Sequence, residues 1–110
     1  MAALIESKDG RIWSAASWVF DNIMRLTRIH VSDDFSKLHS LMHEEENPLR
    51  YIQLGELSLS ERAALTRALE MAYREAEEAG SQSFDTPEFY PGFMDRFREL
   101  LKLITEHREP

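Results

Sequence analysis

The sequence contains no cysteine and no long apolar run. Without cysteine it can form neither a disulfide framework nor a thiolate metal site, so the fold depends on a hydrophobic core. Nowhere do about 18 uncharged apolar residues follow one another, and residues 1–10 carry Glu6, Lys8 and Asp9 where a signal peptide would be apolar. These absences predict a cytoplasmic protein that neither spans a membrane nor is exported by a standard signal.

Glycine and proline are also scarce, with four of each in 110 residues. The abundance of Leu, Ala, Glu and Arg favours helices over a turn-rich β architecture. A hydrophobic fraction of 43% is enough to form a core in a chain of this length. We therefore expect one domain covering residues 1–110.

The sequence is also short of positive charge. It has 13 Lys and Arg residues and 20 Asp and Glu residues, which gives a net charge of −7. A nucleic-acid surface needs clustered Lys and Arg, so the composition argues against one and favours a basic protein partner. Almost all the excess acid lies in residues 33–46 and 70–88. Two solvated helix faces would also produce this pattern, so that interpretation stays open beside a docking surface.

Apolar residues recur with helical spacing in four stretches. The spacing predicts helices over about 12–30, 32–46, 59–79 and 93–107, and one or two helical turns within 47–55. Ser58 and Glu61 match a capping box at the start of the third helix, and Gly80 is a typical residue to end it. Stripes of this kind bury one another, so the expected fold is all-α: a compact bundle of about four main amphipathic helices plus one or two short helical turns.

Two aromatic features suggest contact with a partner. Trp18 lies on the flank of the first apolar stripe, beside Asn22 and Arg25, where it is either a core-edge residue or an exposed aromatic anchor. In residues 85–93, two prolines bracket Glu88, Phe89 and Tyr90. If exposed, this stiff segment is a recognition element; if buried, it is a hydrophobic plug at the end of the bundle.

Chemistry-bearing patterns are sparse. His39 and His43 are four residues apart, so they share a helix face and could supply two metal ligands, with Glu44 or Glu46 as a third. No HExxH motif, nucleophile elbow, Walker loop or GxGxxG is present. We interpret the histidines as hydrogen-bonding side chains and predict no catalytic residue, no metal ligand and no cofactor: the protein is not an enzyme.

Size, acidity, absence of cysteine and the aromatic segment at residues 88–93 together resemble the small helical immunity proteins that bacteria encode beside contact-dependent or type VI toxins. The resemblance implies a protein that binds a basic toxin domain, a nuclease, and blocks its active site or substrate surface.

The predicted partner-binding residues come from both acidic segments and from the aromatic features. They are Asp33, Asp34, Glu44, Glu45, Glu46, Glu75, Glu77, Glu78, Asp85, Glu88, Phe89, Tyr90 and Trp18. The alternative is a non-catalytic helical adaptor or regulatory module that uses Trp18, Ile29 or Met71 as contact residues. A homo-oligomer is compatible with this alternative.

Overall fold

The computed structural model describes residues 2–106, which form three strands and four helices. In chain order these are β1 (Ala2–Glu6), β2 (Ile12–Ala16), α1 (Ser17–Arg28), α2 (Ser36–Met42), β3 (Tyr51–Gln53), α3 (Leu59–Ala79) and α4 (Tyr90–Glu106). Short 3-10 turns occupy Leu54–Glu56, Ser81–Ser83 and Pro87–Phe89. The prediction of an all-α fold is therefore wrong, because a β-sheet accompanies the helices.

The first two strands form a β-hairpin around Gly10. The Ser7 amide donates to the Arg11 carbonyl at 2.8 Å, and the Gly10 amide donates to the Ser7 carbonyl at 3.0 Å. Gly10 has φ +90°, a conformation that glycine adopts without steric cost, so the loop is a turn closed by a glycine bulge. The resulting register pairs Ile5 with Trp13.

The third strand adds to β1 in parallel, giving the strand order β2-β1-β3. Alternate residues point to opposite faces of the sheet. One face is buried against α1 and α4 and consists of Ala3, Ile5, Trp13, Ala15 and Ile52. The other face exposes Leu4, Ile12 and Tyr51.

The helices surround a core that is continuous with the buried face of the sheet. Ala68 and Ala72 on α3 are fully buried, and their small side chains let α1 and α4 approach closely. Phe20 on α1 and Phe97 on α4 fill the space between the helices. No helix within residues 2–106 combines the length and the apolar content needed to cross a membrane.

The prediction of a helix over residues 59–79 is confirmed by α3. Both of its ends are determined by local sequence. The Ser58 hydroxyl accepts from the Glu61 amide at 3.1 Å, and the Glu61 carboxylate accepts from the Ser58 amide at 2.7 Å. This is the complete capping box. Gly80 ends the helix with φ +69°.

The other elements differ from their predictions in extent or type. Residues 12–16 of the first predicted helix form β2, because Trp13 and Ala15 alternate with exposed residues and pair with β1. Helix α2 covers only Ser36–Met42 of the predicted 32–46. Within residues 47–55, the expected helix is replaced by β3 and a 3-10 turn, since pairing with β1 outweighs local preference. Helix α4 begins at Tyr90, with Pro91 in its first turn, and the predicted end at His107 lies outside the described residues.

Candidate partner-binding surface

Trp18 and Phe89 form an exposed aromatic ridge. Trp18 is in the first turn of α1 and is 42% exposed, and Phe89, in the turn before α4, is 56% exposed. Their ring centroids are 5.8 Å apart. Trp18 also stacks on buried Phe93, at 6.2 Å between centroids, so the ridge is anchored in the core. The fold thus joins the two aromatic features that the sequence suggested separately.

A groove with a volume of about 400 Å³ runs along one side of the ridge, between α1 and the residues that follow α2. We call it the α2 groove. Its acidic wall comes from the first acidic segment and consists of Glu44 and Glu45, while α1 contributes Asp21 and Arg28.

A second groove, the α3 groove, runs along the other side of the ridge and has a volume of about 550 Å³. Glu75 and Asp85, both from the second acidic segment, line it together with Phe84 and Phe89. Trp18, Asn22 and Arg25 line both grooves. The two acidic segments, which are distant in sequence, therefore border the same face of α1.

Hydrogen-bonded polar contacts hold the walls of both grooves in place. Arg50 donates through Nε and Nη2 to the two carboxylate oxygens of Asp21, at 2.8 and 2.9 Å, and this hydrogen bonding raises the pKa of Arg50. The same guanidinium lies 3.4 Å from a carboxylate oxygen of Glu44. In the α3 groove, His30 Nε2 is 2.7 Å from Glu75 Oε1.

Two carboxylates differ from these, since Glu45 and Asp85 form no ion pair among residues 2–106. They are exposed and remain available to a cation on a partner. Arg25 lies between them on α1, where its guanidinium donates to Oδ1 of the Asn22 side chain at 3.0 Å. The surface therefore has acidic walls on both sides of a ridge with an arginine at its base.

Tyr90 has a different environment from Phe89. Its hydroxyl donates to the Ala76 carbonyl at 3.2 Å, and its ring packs edge-on against Phe84 at 5.5 Å. Tyr90 is half-buried, so it holds the start of α4 against α3, whereas Phe89 faces outward. Phe89 therefore fits the interpretation of this proline-bracketed segment as an exposed recognition element, and Tyr90 fits its interpretation as a hydrophobic plug.

Several predicted partner-binding residues lie away from both grooves. Asp33 and Asp34 are exposed in the turn before α2, and Glu46 accepts from the Ser40 hydroxyl at 3.0 Å. Glu77, Glu78 and Glu88 are exposed but are not among the groove-lining residues.

Sequence reasoning omitted Asn22 and Arg25 from the predicted site, although their spacing from Trp18 indicated it. They follow Trp18 by four and seven residues, which places all three side chains on one helix face. No sequence pattern indicated Asp21 and Arg50 as part of the site, because their pairing depends on how the segment before β3 lies against α1.

The two histidines are 6.4 Å apart between ring centroids. His39 Nε2 lies 3.0 Å from the Val31 carbonyl, and His43 lines the α2 groove. Within residues 2–106, no cluster of three or more His, Asp or Glu side chains has a geometry suited to a metal ion.

Comparison with known proteins gives no match to this chain among family models, curated proteins or solved structures. The surface itself must therefore support any statement about function.

Proposed function

We propose that this protein is a non-catalytic inhibitor that binds a basic toxin domain, as do the immunity proteins that its sequence resembles. The observation that carries the proposal is the convergence of both acidic segments on the aromatic ridge. Glu45 on one side and Asp85 on the other flank Trp18 at the groove walls.

The chemistry of the ridge is that of a protein-binding hot spot. On binding, an exposed Trp side chain buries a large apolar area and loses little conformational entropy. Such residues account for much of the binding energy of the interfaces in which they occur. Trp18 is supported from beneath by Phe93 and beside by Phe89, so its ring is already ordered before a partner arrives. Such preorganisation lowers the cost of association.

The acidic walls contribute through long-range attraction. A nuclease holds phosphates in a positively charged site, so its field draws in carboxylates that surround an apolar contact. Exposed charges such as Glu45 and Asp85 act mainly on the association rate, whereas the buried aromatic contact sets the dissociation rate. Arg25 between the walls would pair with an acidic or carbonyl oxygen on the partner and fix its orientation.

The first experiment is affinity capture from the native host, followed by binding measurements on the captured toxin domain. We expect Trp18→Ala to raise the Kd about 30-fold or more, the level that defines a hot spot. Ile29→Ala is the matched control, because Ile29 is 71% exposed at the end of α1 and lies outside both grooves. Equal effects of the two substitutions would contradict the assignment of the ridge.

A second experiment tests the acidic walls with two double variants of equal net charge. The double substitution Glu44→Lys with Glu45→Lys should slow association, while Glu77→Lys with Glu78→Lys, which changes the net charge equally, should slow it much less. Raising salt should also slow the wild-type association, since screening shortens the Debye length. If both double variants behave alike, net charge and not the groove walls would govern capture.

The alternative of a non-catalytic adaptor module is favoured by Ile29 and Met71, which are exposed apolar residues outside both grooves. A captured partner without toxin activity, whose binding is weakened by Ile29→Ala or Met71→Ala and not by Trp18→Ala, would support it.

A further inference from the structure

Among residues 2–106, strand β2 is an edge strand whose outward side pairs with no other strand. The strand order places β1 on one side of β2 and leaves the other side open. The hydrogen bond from the Ser7 amide to the Arg11 carbonyl fixes the alternation of the ladder, so Trp13 and Ala15 direct their backbone groups to β1. Ile12, Ser14 and Ala16 direct theirs outward.

This edge lacks the features that usually prevent strand pairing. Natural edge strands are kept apart by lysine, proline, bulges or very short length. Strand β3, at the opposite edge, has only three residues. Strand β2 has five, with neither lysine nor proline among them, and Ile12 is 60% exposed.

Helix α4 runs beside this edge and carries a self-complementary row of charges. A groove of about 410 Å³ lies between β2 and α4. On the α4 side, the charged lining residues in chain order are Arg96, Glu99, Lys102 and Glu106. The charges alternate in sign along the helix. An antiparallel second copy of this row therefore presents the opposite charge at every position. Two copies of α4 that run antiparallel would place Arg96 against the partner's Glu106, and Glu99 against the partner's Lys102.

Strand β2 and helix α4 lie side by side at this edge. Antiparallel pairing of two β2 strands aligns their outward backbone groups. Arg11 Nη1 lies 2.7 Å from Glu106, and Trp13 Nε1 donates to the Arg96 carbonyl at 2.8 Å, so β2 and α4 run in opposite directions.

We propose that β2 is the pairing strand of a homodimer, in which a second copy of this chain adds through its own β2 and the two α4 helices lie side by side. The result is a six-stranded sheet built from two three-stranded ones. The pairing involves none of the residues that line the α2 and α3 grooves. Its test is therefore independent of the proposed inhibitor function, and either can fail alone.

Light scattering coupled to size-exclusion chromatography provides the first test. We expect the wild-type protein to have twice the chain mass of 12.8 kDa, with dissociation on dilution. Ser14→Pro should produce a monomer, because proline removes an outward amide without removing a bond to β1. Circular dichroism distinguishes loss of the dimer from loss of the fold. A wild-type monomer up to millimolar concentration would overturn the proposal.

A charge exchange tests the geometry directly, with residues that are exposed and outside the core. Glu99→Lys and Lys102→Glu each put like charges opposite one another in the homodimer, and we expect each to weaken it about tenfold. In a mixture of the two variants, every opposed pair across the heterodimer is complementary. The mixture should therefore associate more tightly than either variant alone. If mixing restores nothing, or if Ser14→Pro stays folded and dimeric, the dimer is not formed through β2.

Discussion

Replacing each tryptophan by phenylalanine gives a sharp test of the packing. Trp13 is 4% exposed, and its indole N–H donates to the Arg96 carbonyl at 2.8 Å. Losing this hydrogen bond costs about 0.5–1.5 kcal/mol, and emptying part of the space that the larger ring fills costs about 1–2 kcal/mol more. We therefore expect Trp13→Phe to lower the free energy of unfolding by about 1.5–3.5 kcal/mol.

Trp18→Phe is the matched control, because the same atoms are removed from an exposed position. A phenyl ring there can still stack on Phe93 and Phe89, so the expected loss is below about 0.5 kcal/mol, as for most surface substitutions. Urea unfolding followed by far-UV circular dichroism measures both values at equal protein concentration, and an unchanged m-value shows that the transition is comparable.

Each variant also keeps a single tryptophan as a fluorescent probe. Emission from Trp13 in the Trp18→Phe protein should be blue-shifted and resistant to quenching by acrylamide, while emission from Trp18 in the Trp13→Phe protein should be red-shifted and readily quenched. A loss below about 1 kcal/mol for Trp13→Phe, or equal losses for the two variants, would refute the assignment of Trp13 to the contact between sheet and α4.

Three other predictions concern the core, the backbone and pH. Leu69→Ala and Leu100→Ala remove fully buried side chains and should each cost about 2–5 kcal/mol in thermal or urea unfolding. Gly10→Ala should lower the free energy of unfolding by about 1 kcal/mol, because Gly10 has φ +90°. Gly92→Ala should raise it by a similar amount, since Gly92 is helical and a Cβ there would meet nothing within 4 Å. Melting temperatures measured together should therefore shift in opposite directions for the two variants. Hydrogen bonds from Ser7 and then Arg11 lower the pKa of Asp9 from 3.8 to about 2. Its contribution to stability is therefore complete above about pH 4 and is lost as the pH falls towards 2; an NMR titration with an ordinary carboxyl pKa would contradict this.

Helix α3 shows what local sequence can determine. Its start depends on Ser58 and Glu61, three residues apart, and its end on Gly80. Both sets of contacts lie within one turn of chain, so they are visible without knowledge of the fold.

The hairpin was predictable and was missed. Asp9-Gly10 between two alternating runs is a strong hairpin signal, and Ala3, Ile5, Trp13 and Ala15 mark the buried face on both strands. The error arose because the stretch from residue 12 also fits a helical stripe that continues into α1. Short apolar stretches fit both periods, so only the flanking turn distinguishes them.

Strand β3 and the candidate surface lay beyond sequence reasoning for another reason. Tyr51 pairs with Leu4, far away in the chain, and a three-residue strand carries too little pattern to be recognised. The sequence indicates Trp18 and Phe89 separately, but the contact between their rings depends on how α4 packs against α1. Because that packing is decided by the whole core, the two features could be predicted separately and not together.

The contact between Trp13 and Arg96 spans 83 residues, which has a consequence for synthesis. A ribosome makes the hairpin before α4, which is the last described element to emerge. Until then, Trp13 lacks the helix that covers it, and exposed apolar strands of this kind associate readily with other chains or with chaperones. Removing α4 would make that temporary exposure permanent, so a truncation before Tyr90 should yield an insoluble product and not a smaller folded one.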